Sequence, residues 1–114
     1  MLRIKQIKNT VLLSFDKKVK LDNATSKRFR DEVLGLLTRP FTNLFVDLTK
    51  VENVDEEGLN ALMASHLLSE MNNSQVSFYN VSDKVLKAMR MKNLDSHFCF
   101  VDRPKPFSED LLMV

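Results

Sequence analysis

The stretch that decides the fold is residues 46–62, VDLTKVENVDEEGLNAL. It begins inside a short apolar strand, residues 44–48, and continues into a polar loop. Asp55 then stands where a helix N-cap is expected, because its carboxylate can accept a hydrogen bond from the first helical turn. Glu56 and Glu57 follow, and negative charge is favourable there because the first turn exposes unpaired N–H groups. The stretch therefore predicts a strand, a loop and an acidic start to an amphipathic helix.

Hydrophobic periodicity on either side of this stretch predicts an α/β order of elements. The helices are expected at residues 24–38, 56–72 and 83–92, and the strands at 2–7, 11–15, 19–21, 44–48, 76–81 and, briefly, 98–101. Two strand–helix–strand units follow one another, and such units cross over with a right-handed turn. We therefore expect an α/β domain with a small mixed β-sheet of four to six strands and helices packed on it.

The apolar stripes of the first two helices predict which side chains enter the core. In the first helix the stripe is Phe29, Val33 and Leu36/Leu37, and either Asp22 or Asn23 is a suitable N-cap. In the second helix the spacing gives Leu59, Leu62/Met63, His66/Leu67 and Met71. The turn after this helix has no glycine, and Asn73 is the residue there that best tolerates left-handed geometry.

Length and composition limit the classes of protein to which this chain can belong. With 114 residues and 44% hydrophobic content, it suits one domain over residues 1–102 and a C-terminal tail over 103–114 that either docks as a short helix or frays. The single cysteine, Cys99, lies in an apolar run and is expected in the core of a protein from a reducing compartment. We expect a cytoplasmic protein, since there is neither a membrane-spanning run nor a signal-peptide core.

Charge and motif content argue against nucleic-acid binding, catalysis and cofactors. The net charge is only +2 and the 17 basic residues are scattered, whereas a nucleic-acid surface needs a dense basic stripe. Paired carboxylates act as acid and base only where their environments separate the pKa values, and Glu56 and Glu57 are expected to face solvent. Asp47, Asp55 and Glu56 could approach one another, but no metal-binding motif accompanies them. The sequence therefore predicts no enzyme, no metal site and no cofactor.

Several short motifs, taken in order, resemble the STAS domain, the family of bacterial anti-sigma-factor antagonists. Leu21-Asp22 before the first helix, Val46-Asp47-Leu48 at a strand end, and Asp55 with Gly58-Leu59 resemble the family's conserved positions. Asn80-Val81-Ser82 and Leu94-Asp95-Ser96-His97-Phe98 resemble its later strand–helix junction and its closing motif. The resemblance covers about residues 2–101 and implies a regulatory protein-interaction module of the bacterial cytoplasm that acts in signalling and transcription.

The resemblance also implies a site and shows one departure from the family. In the family a serine or threonine just before the glycine is phosphorylated by a partner kinase, and here that position is Glu57. The chain is thus expected to be unphosphorylatable there, and Glu57 either imitates part of the phosphate charge or only starts a helix. The implied partner is an anti-sigma factor or a kinase-like switch protein, and the implied contact residues are Asp22, Asp55, Glu56, Glu57, Gly58 and Leu59.

Two other functions stay open from the sequence. The chain could be a STAS subunit of a multi-protein assembly, such as a lipid-transport ATPase complex in the cell envelope, in which phosphorylation is irrelevant. It could also sense a small ligand or nucleotide, although its two glycines, Gly35 and Gly58, do not form a glycine-rich phosphate loop.

Overall fold

A computed structural model describes residues 2–101 and shows seven strands and three helices. In chain order these are β1 (Leu2–Ile7), β2 (Thr10–Phe15), β3 (Val19–Leu21), α1 (Asn23–Leu36), β4 (Asn43–Asp47), β5 (Val51–Val54), α2 (Glu56–Met71), β6 (Gln75–Tyr79), α3 (Asp83–Met91) and β7 (Cys99–Phe100). The three predicted helices are confirmed, with bounds within two residues. The predicted tail at 103–114, with its alternative as a docking helix, lies outside the described residues.

The main sheet has five strands in the order β1-β2-β4-β6-β7, which confirms the predicted mixed sheet of four to six strands. In this sheet only β1 and β2, which are joined by the short turn at Lys8 and Asn9, pair antiparallel, and the other neighbours are parallel. From β2 onward each crossover moves one strand further in the same direction. Because such crossovers are right-handed, all three helices are carried on the same face of the sheet.

A second ladder, which the sequence did not predict, pairs β3 with β5 in parallel. We expected residues 51–54 to be loop, and that expectation was wrong. The two buried residues of β5, Val51 and Val54, are three positions apart, so the period of two that marks a strand is missing. The register also shifts between Val19 and Lys20 on the partner strand, which explains the irregular spacing.

The core lies between the main sheet and the helices. Phe29, Val33 and Leu37 of the first helical segment are fully buried, as predicted, and they join the inward-facing residues of the central strands: Val11, Leu13, Leu44, Val46, Val76 and Phe78. The opposite face of the sheet carries a smaller cluster of Leu12 and Tyr79, against which Phe45 and Val101 pack. Strand β4 thus contributes apolar side chains to both faces, as its nearly continuous apolar sequence predicts.

Helix α2 buries a different face from the one that its sequence predicts. Leu59 and Leu62 are in the core, but Leu67 and Met71 are exposed, so their assignment to the buried stripe was wrong. Small residues take their place, namely Ala61, Ser65 and Ser69. The hydroxyls of Ser65 and Ser69 donate to carbonyls of their own helix, at 2.6 Å each, so their burial leaves no polar group unpaired. Because these small residues occupy the buried face of α2, the larger Leu67 and Met71 lie on its exposed face.

Candidate functional site

The candidate site forms where β3 and β5 end side by side. Leu21 and Val54 are paired in the parallel ladder, so the next residues, Asp22 and Asp55, leave the same edge. The backbone N–H of Asp55 donates to the carbonyl of Leu21 at 3.2 Å and ties the two junctions together. Helices α1 and α2 start from these residues, so the structure brings the two predicted loops to one edge, which we name the acidic edge.

Asp22 is the N-cap of α1 and closes a complete capping box. Its carboxylate accepts from the backbone N–H of Thr25 at 3.2 Å, and the Thr25 hydroxyl accepts from the backbone N–H of Asp22 at 2.8 Å. The same hydroxyl donates to the carbonyl of Lys20 at 2.6 Å. The bond from the Thr25 backbone, helped by that from its side chain, lowers the pKa of Asp22 below its ordinary value of 3.8. Asp22 is therefore an exposed and firmly ionised carboxylate that is held in place by its own helix.

Asp55 is the N-cap of α2, as predicted, and two further carboxylates follow it. Its side chain accepts from the backbone N–H of Gly58 at 2.9 Å, and Glu56 and Glu57 occupy the first turn in exposed positions. The Glu56 carboxylate lies 3.9 Å from the Lys92 ammonium at the end of α3, but both side chains are more than half exposed, so the pair contributes little. Glu57, the next residue, projects from the helix at about 100° to Glu56 around the helix axis. Glu57 makes no ion pair with any residue of the 2–101 segment.

Gly58 and Leu59 lie beneath this edge in the core. A Cβ added to Gly58 would stand 2.2 Å from the carbonyl oxygen of Leu21 and 2.5 Å from Cγ2 of Val54. Only glycine lets the first turn of α2 approach the strand ends so closely. Leu59 is 5% exposed and anchors the same turn. The two residues position the edge from below, and the carboxylates of Asp22, Asp55, Glu56 and Glu57 are the groups that face solvent; contact of all six with a partner stays a prediction.

The turn between β4 and β5 sets the approach to this edge. The Asp47 carboxylate accepts from the backbone N–H of Thr49 at 2.9 Å and from its hydroxyl. The N–H of Val51 donates to the carbonyl of Leu48 at 3.0 Å and completes the turn. Asp47 is thus used within its own turn, and among the described residues no three His, Cys, Asp or Glu side chains are placed to share a metal ion.

Two features near the edge were not found by sequence reasoning. Thr25 completes the capping box from a position where a glutamate or glutamine is the usual signal, and its role follows only from the bonds described above. A groove of about 240 Å³ lies beside this cap, lined by Phe15, Asp16, Lys17, Lys18, Val19 and Thr25. No local sequence pattern marks this groove, because it forms between the β2–β3 turn and the start of α1.

Comparison with known proteins bears on the family and the fold. A family model described as "Mlab, STAS domain" matches residues 19–102. No curated protein matches the chain at a significant level. Within residues 2–101, no helix is long and apolar enough to cross a bilayer.

Solved structures of low sequence identity share the fold. The anti-sigma factor antagonist SpoIIAA in its unphosphorylated form superposes with a TM-score of 0.74 at 13% identity, covering 99% of this chain and 96% of that one. A putative anti-sigma factor antagonist of Thermotoga maritima gives 0.73 at 20% identity, covering 99% and 93%. The murine anion transporter Slc26a9 gives 0.72 at 19% identity, where 96% of this chain corresponds to 18% of the transporter. The fold thus occurs both as a small separate protein and as a minor part of a membrane transporter.

Proposed function

Since this chain belongs to the STAS domain family, we propose that it is a regulatory module that binds a protein partner through the acidic edge. The observation that carries this proposal is the parallel β3–β5 pair, which places the starts of α1 and α2 together. Asp22, Asp55, Glu56 and Glu57 are all exposed on this edge. A cluster of exposed carboxylates on a rigid frame favours recognition of a complementary surface.

The partner that we propose is an anti-sigma factor or a kinase-like switch protein. The support is the likeness to SpoIIAA and to the Thermotoga maritima protein, both of which are described as anti-sigma factor antagonists. Glu57 would occupy the position that is phosphorylated in the family and would carry a fixed charge. Regulation would then come from the amount of this protein or from its partner, in the cytoplasm, and not from phosphorylation at residue 57.

A second candidate is a subunit of a larger transport assembly, such as a lipid-transport ATPase complex. Two observations favour it: the family model that matches the chain is described by the name Mlab, and the Slc26a9 structure contains this fold as 18% of an anion transporter. In such an assembly the acidic edge would fix the domain to a neighbouring subunit. A permanent carboxylate at residue 57 suits a permanent contact at least as well as a switched one.

Affinity purification of the tagged protein from its own cells tests the proposal and separates the two candidates. Three baits are compared: the parent, Glu57→Lys, and Asp83→Lys as a matched control with an exposed first-turn carboxylate on α3. A kinase-like switch protein that is lost only with Glu57→Lys supports the first candidate. Transporter subunits lost in the same way support the second, and partners that all three baits retain equally contradict binding through the acidic edge.

A further inference from the structure

The end of the molecule opposite the acidic edge is built from three turns that are joined by hydrogen bonds. Asn9 of the β1–β2 turn donates through Nδ2 to the carbonyl of Phe41 at 3.1 Å, and its own carbonyl accepts from the N–H of Asn43 at 2.8 Å. The N–H of Phe41 donates to the carbonyl of Asn73 at 3.2 Å, in the turn after α2. These bonds fix the three turns relative to one another, so side chains that project from them are held on a rigid base.

Phe41 is the most unusual residue of this end. Its φ is 60°, in the left-handed region that bulky residues rarely adopt, and its side chain is 68% exposed. Among the described residues the same geometry occurs at Lys8 and at three asparagines, Asn73, Asn80 and Asn93, so Phe41 is the bulkiest side chain in this conformation. A phenylalanine at this position is unfavourable for the left-handed backbone, and its exposed ring adds nothing to the hydrophobic core. Since an exposed aromatic ring on a fixed backbone is a typical anchor in protein interfaces, recognition would explain it.

A second exposed apolar side chain lies at the same end of the molecule. Met71, the last residue of α2, is 79% exposed, and it lies two positions before Asn73, whose carbonyl accepts from the Phe41 N–H. That hydrogen bond joins the segment that carries Met71 to the loop that carries Phe41. Methionine adapts its shape to varied partners, so it can complement a rigid aromatic anchor at this end.

The groove beside Phe41 carries positive charge, whereas Glu70, which precedes Met71, is an exposed carboxylate that lies 2.9 Å from Nε2 of His66. A groove of about 400 Å³ runs between the β1–β2 turn and the loop before β4, lined by Gln6, Lys8, Asn9, Arg39, Pro40 and Thr42. Its only charged lining residues are Lys8 and Arg39, and neither forms an ion pair with any residue of the 2–101 segment. Cations that line a groove without an ion-pair partner favour the binding of a carboxylate. Arg39 is especially suitable, because a guanidinium group can form two parallel hydrogen bonds with a carboxylate.

We infer that Phe41, Met71, Lys8 and Arg39 form a second docking site, the basal surface, for an acidic segment of a partner protein. The ligand has one or more large apolar residues, which pack on Phe41 and Met71, next to Asp or Glu side chains, which pair with Lys8 and Arg39. A second copy of this chain in a two-fold contact is a poor occupant, because such a contact would bring the like charges together. A bilayer is also a poor occupant, because the cations line a groove and a flat surface cannot fill it.

The position of the basal surface allows two partners to be bound together. Helix α2 separates it from the acidic edge, and its 16 residues correspond to a length of about 24 Å. The two surfaces also differ in sign, being acidic at one end and basic at the other. The proposal goes beyond binding at the acidic edge and assigns the domain the geometry of an adaptor.

Selection of random 12-residue peptides on the full chain, followed by titration of the selected peptides, tests this inference. Four proteins are titrated: the parent, Phe41→Asn, Arg39→Glu, and Glu57→Ser as a control at the other end. Asparagine accepts the left-handed backbone, so Phe41→Asn removes the ring without loss of thermal stability, and Arg39→Glu changes an exposed charge. We expect peptides that combine acidic and large apolar residues, with binding weakened at least tenfold by Phe41→Asn and by Arg39→Glu and unchanged by Glu57→Ser.

Three results would overturn it. The first is that selected peptides bind Phe41→Asn and Arg39→Glu like the parent, or that no peptide is selected. The second is that the protein binds phosphatidylcholine vesicles containing 30% phosphatidylserine in a Phe41-dependent manner while the peptides do not compete, which assigns the surface to a membrane. The third is a dimer in analytical ultracentrifugation that Phe41→Asn dissociates, which assigns it to a second copy of the chain. Each of these outcomes leaves binding at the acidic edge untouched.

Discussion

Helices α1 and α2 start side by side from the same kind of residue, yet the two starts are built differently. At α1, Asp22 and Thr25 satisfy each other in a closed capping box, and the first turn holds no acidic residue. At α2, the position that corresponds to Thr25 is Gly58, which has no side chain to return the bond, and two glutamates are added. The start of α1 thus has both hydrogen bonds of a capping box, whereas the start of α2 lacks one of them and carries two additional carboxylates. A difference of this kind is expected where one of two equivalent positions is used for recognition.

The largest effect should come from removing the close approach that Gly58 allows. We expect Gly58→Ala to destabilise the fold by about 3 kcal/mol, because the new methyl must displace the Leu21 carbonyl, which also accepts the Asp55 N–H. Urea unfolding measures the change. Gly35→Ala is the control, since nothing lies within 4 Å of its added Cβ and it should stabilise α1 by about 0.5–1 kcal/mol. Equal effects of the two substitutions would contradict the packing role of Gly58.

A smaller effect is expected from opening the capping box of α1. Thr25→Val keeps the shape of the side chain but removes its bonds to the Asp22 N–H and the Lys20 carbonyl, and should cost about 1 kcal/mol. Thr38→Val is the control, since that exposed hydroxyl donates only to the carbonyl of Gly35. In thermal unfolding, the midpoint temperature of Thr25→Val should lie well below that of Thr38→Val. Similar midpoints for the two variants would show that the box does not stabilise α1.

The same substitution should alter the dependence of stability on pH. The folded pKa of Asp22 is lowered, first by the Thr25 backbone N–H and then by its side chain, so the ionised group stabilises the fold above its ordinary value of 3.8. That contribution is lost as the pH falls through the lowered pKa. Thr25→Val removes the second cause, so the pKa of Asp22 should rise part of the way toward 3.8. An NMR titration of the Asp22 carboxyl measures it, and an unchanged pKa would contradict the assigned bond.

The last prediction, with the smallest expected effect, is that no residue at the start of α2 is phosphorylated. Incubation with candidate STAS-directed kinases and ATP, followed by mass spectrometry, should place no phosphate on residues 55–58, because this segment contains only carboxylates and a glycine and so offers no hydroxyl. Thr49 is the informative alternative, since its exposed hydroxyl lies in the turn before β5. Stoichiometric phosphate on Thr49 would show that the switch has moved to a neighbouring turn.

Sequence reasoning captured what depends on local patterns and missed what depends on contact between distant segments. The helices, their caps at Asp22 and Asp55, and the left-handed Asn73 follow from local chemistry, and the structure confirms them. Strand β5 was missed because its pairing with β3 carries no alternating pattern. Without β5 the residues alone could not place Asp22 beside Asp55, and only the family resemblance implied it.

The same limit explains the errors in burial. Met71 fits an apolar stripe, yet the structure leaves it exposed and buries the small residues Ser65 and Ser69 of the same helix instead. Cys99 was expected in the core, but it is only partly buried in β7, where its sulfur lies 3.7 Å from the Gln75 amide nitrogen. In both cases the burial of the side chain depends on which distant segment of the chain packs against it. Local periodicity carries no information about such contacts.

The most direct test of the account is calorimetric titration of the purified partner with the parent, Glu57→Ser and Asp83→Ser. Asp83 is the matched control, because it is an exposed carboxylate in the first turn of α3. The account predicts that Glu57→Ser changes the affinity by about 1 kcal/mol or more with little change in stability: a loss if the partner surface is basic, a gain if it is shaped for an uncharged serine. Asp83→Ser should bind like the parent. Identical affinities for all three proteins would show that Glu57 only starts a helix and that the partner binds elsewhere.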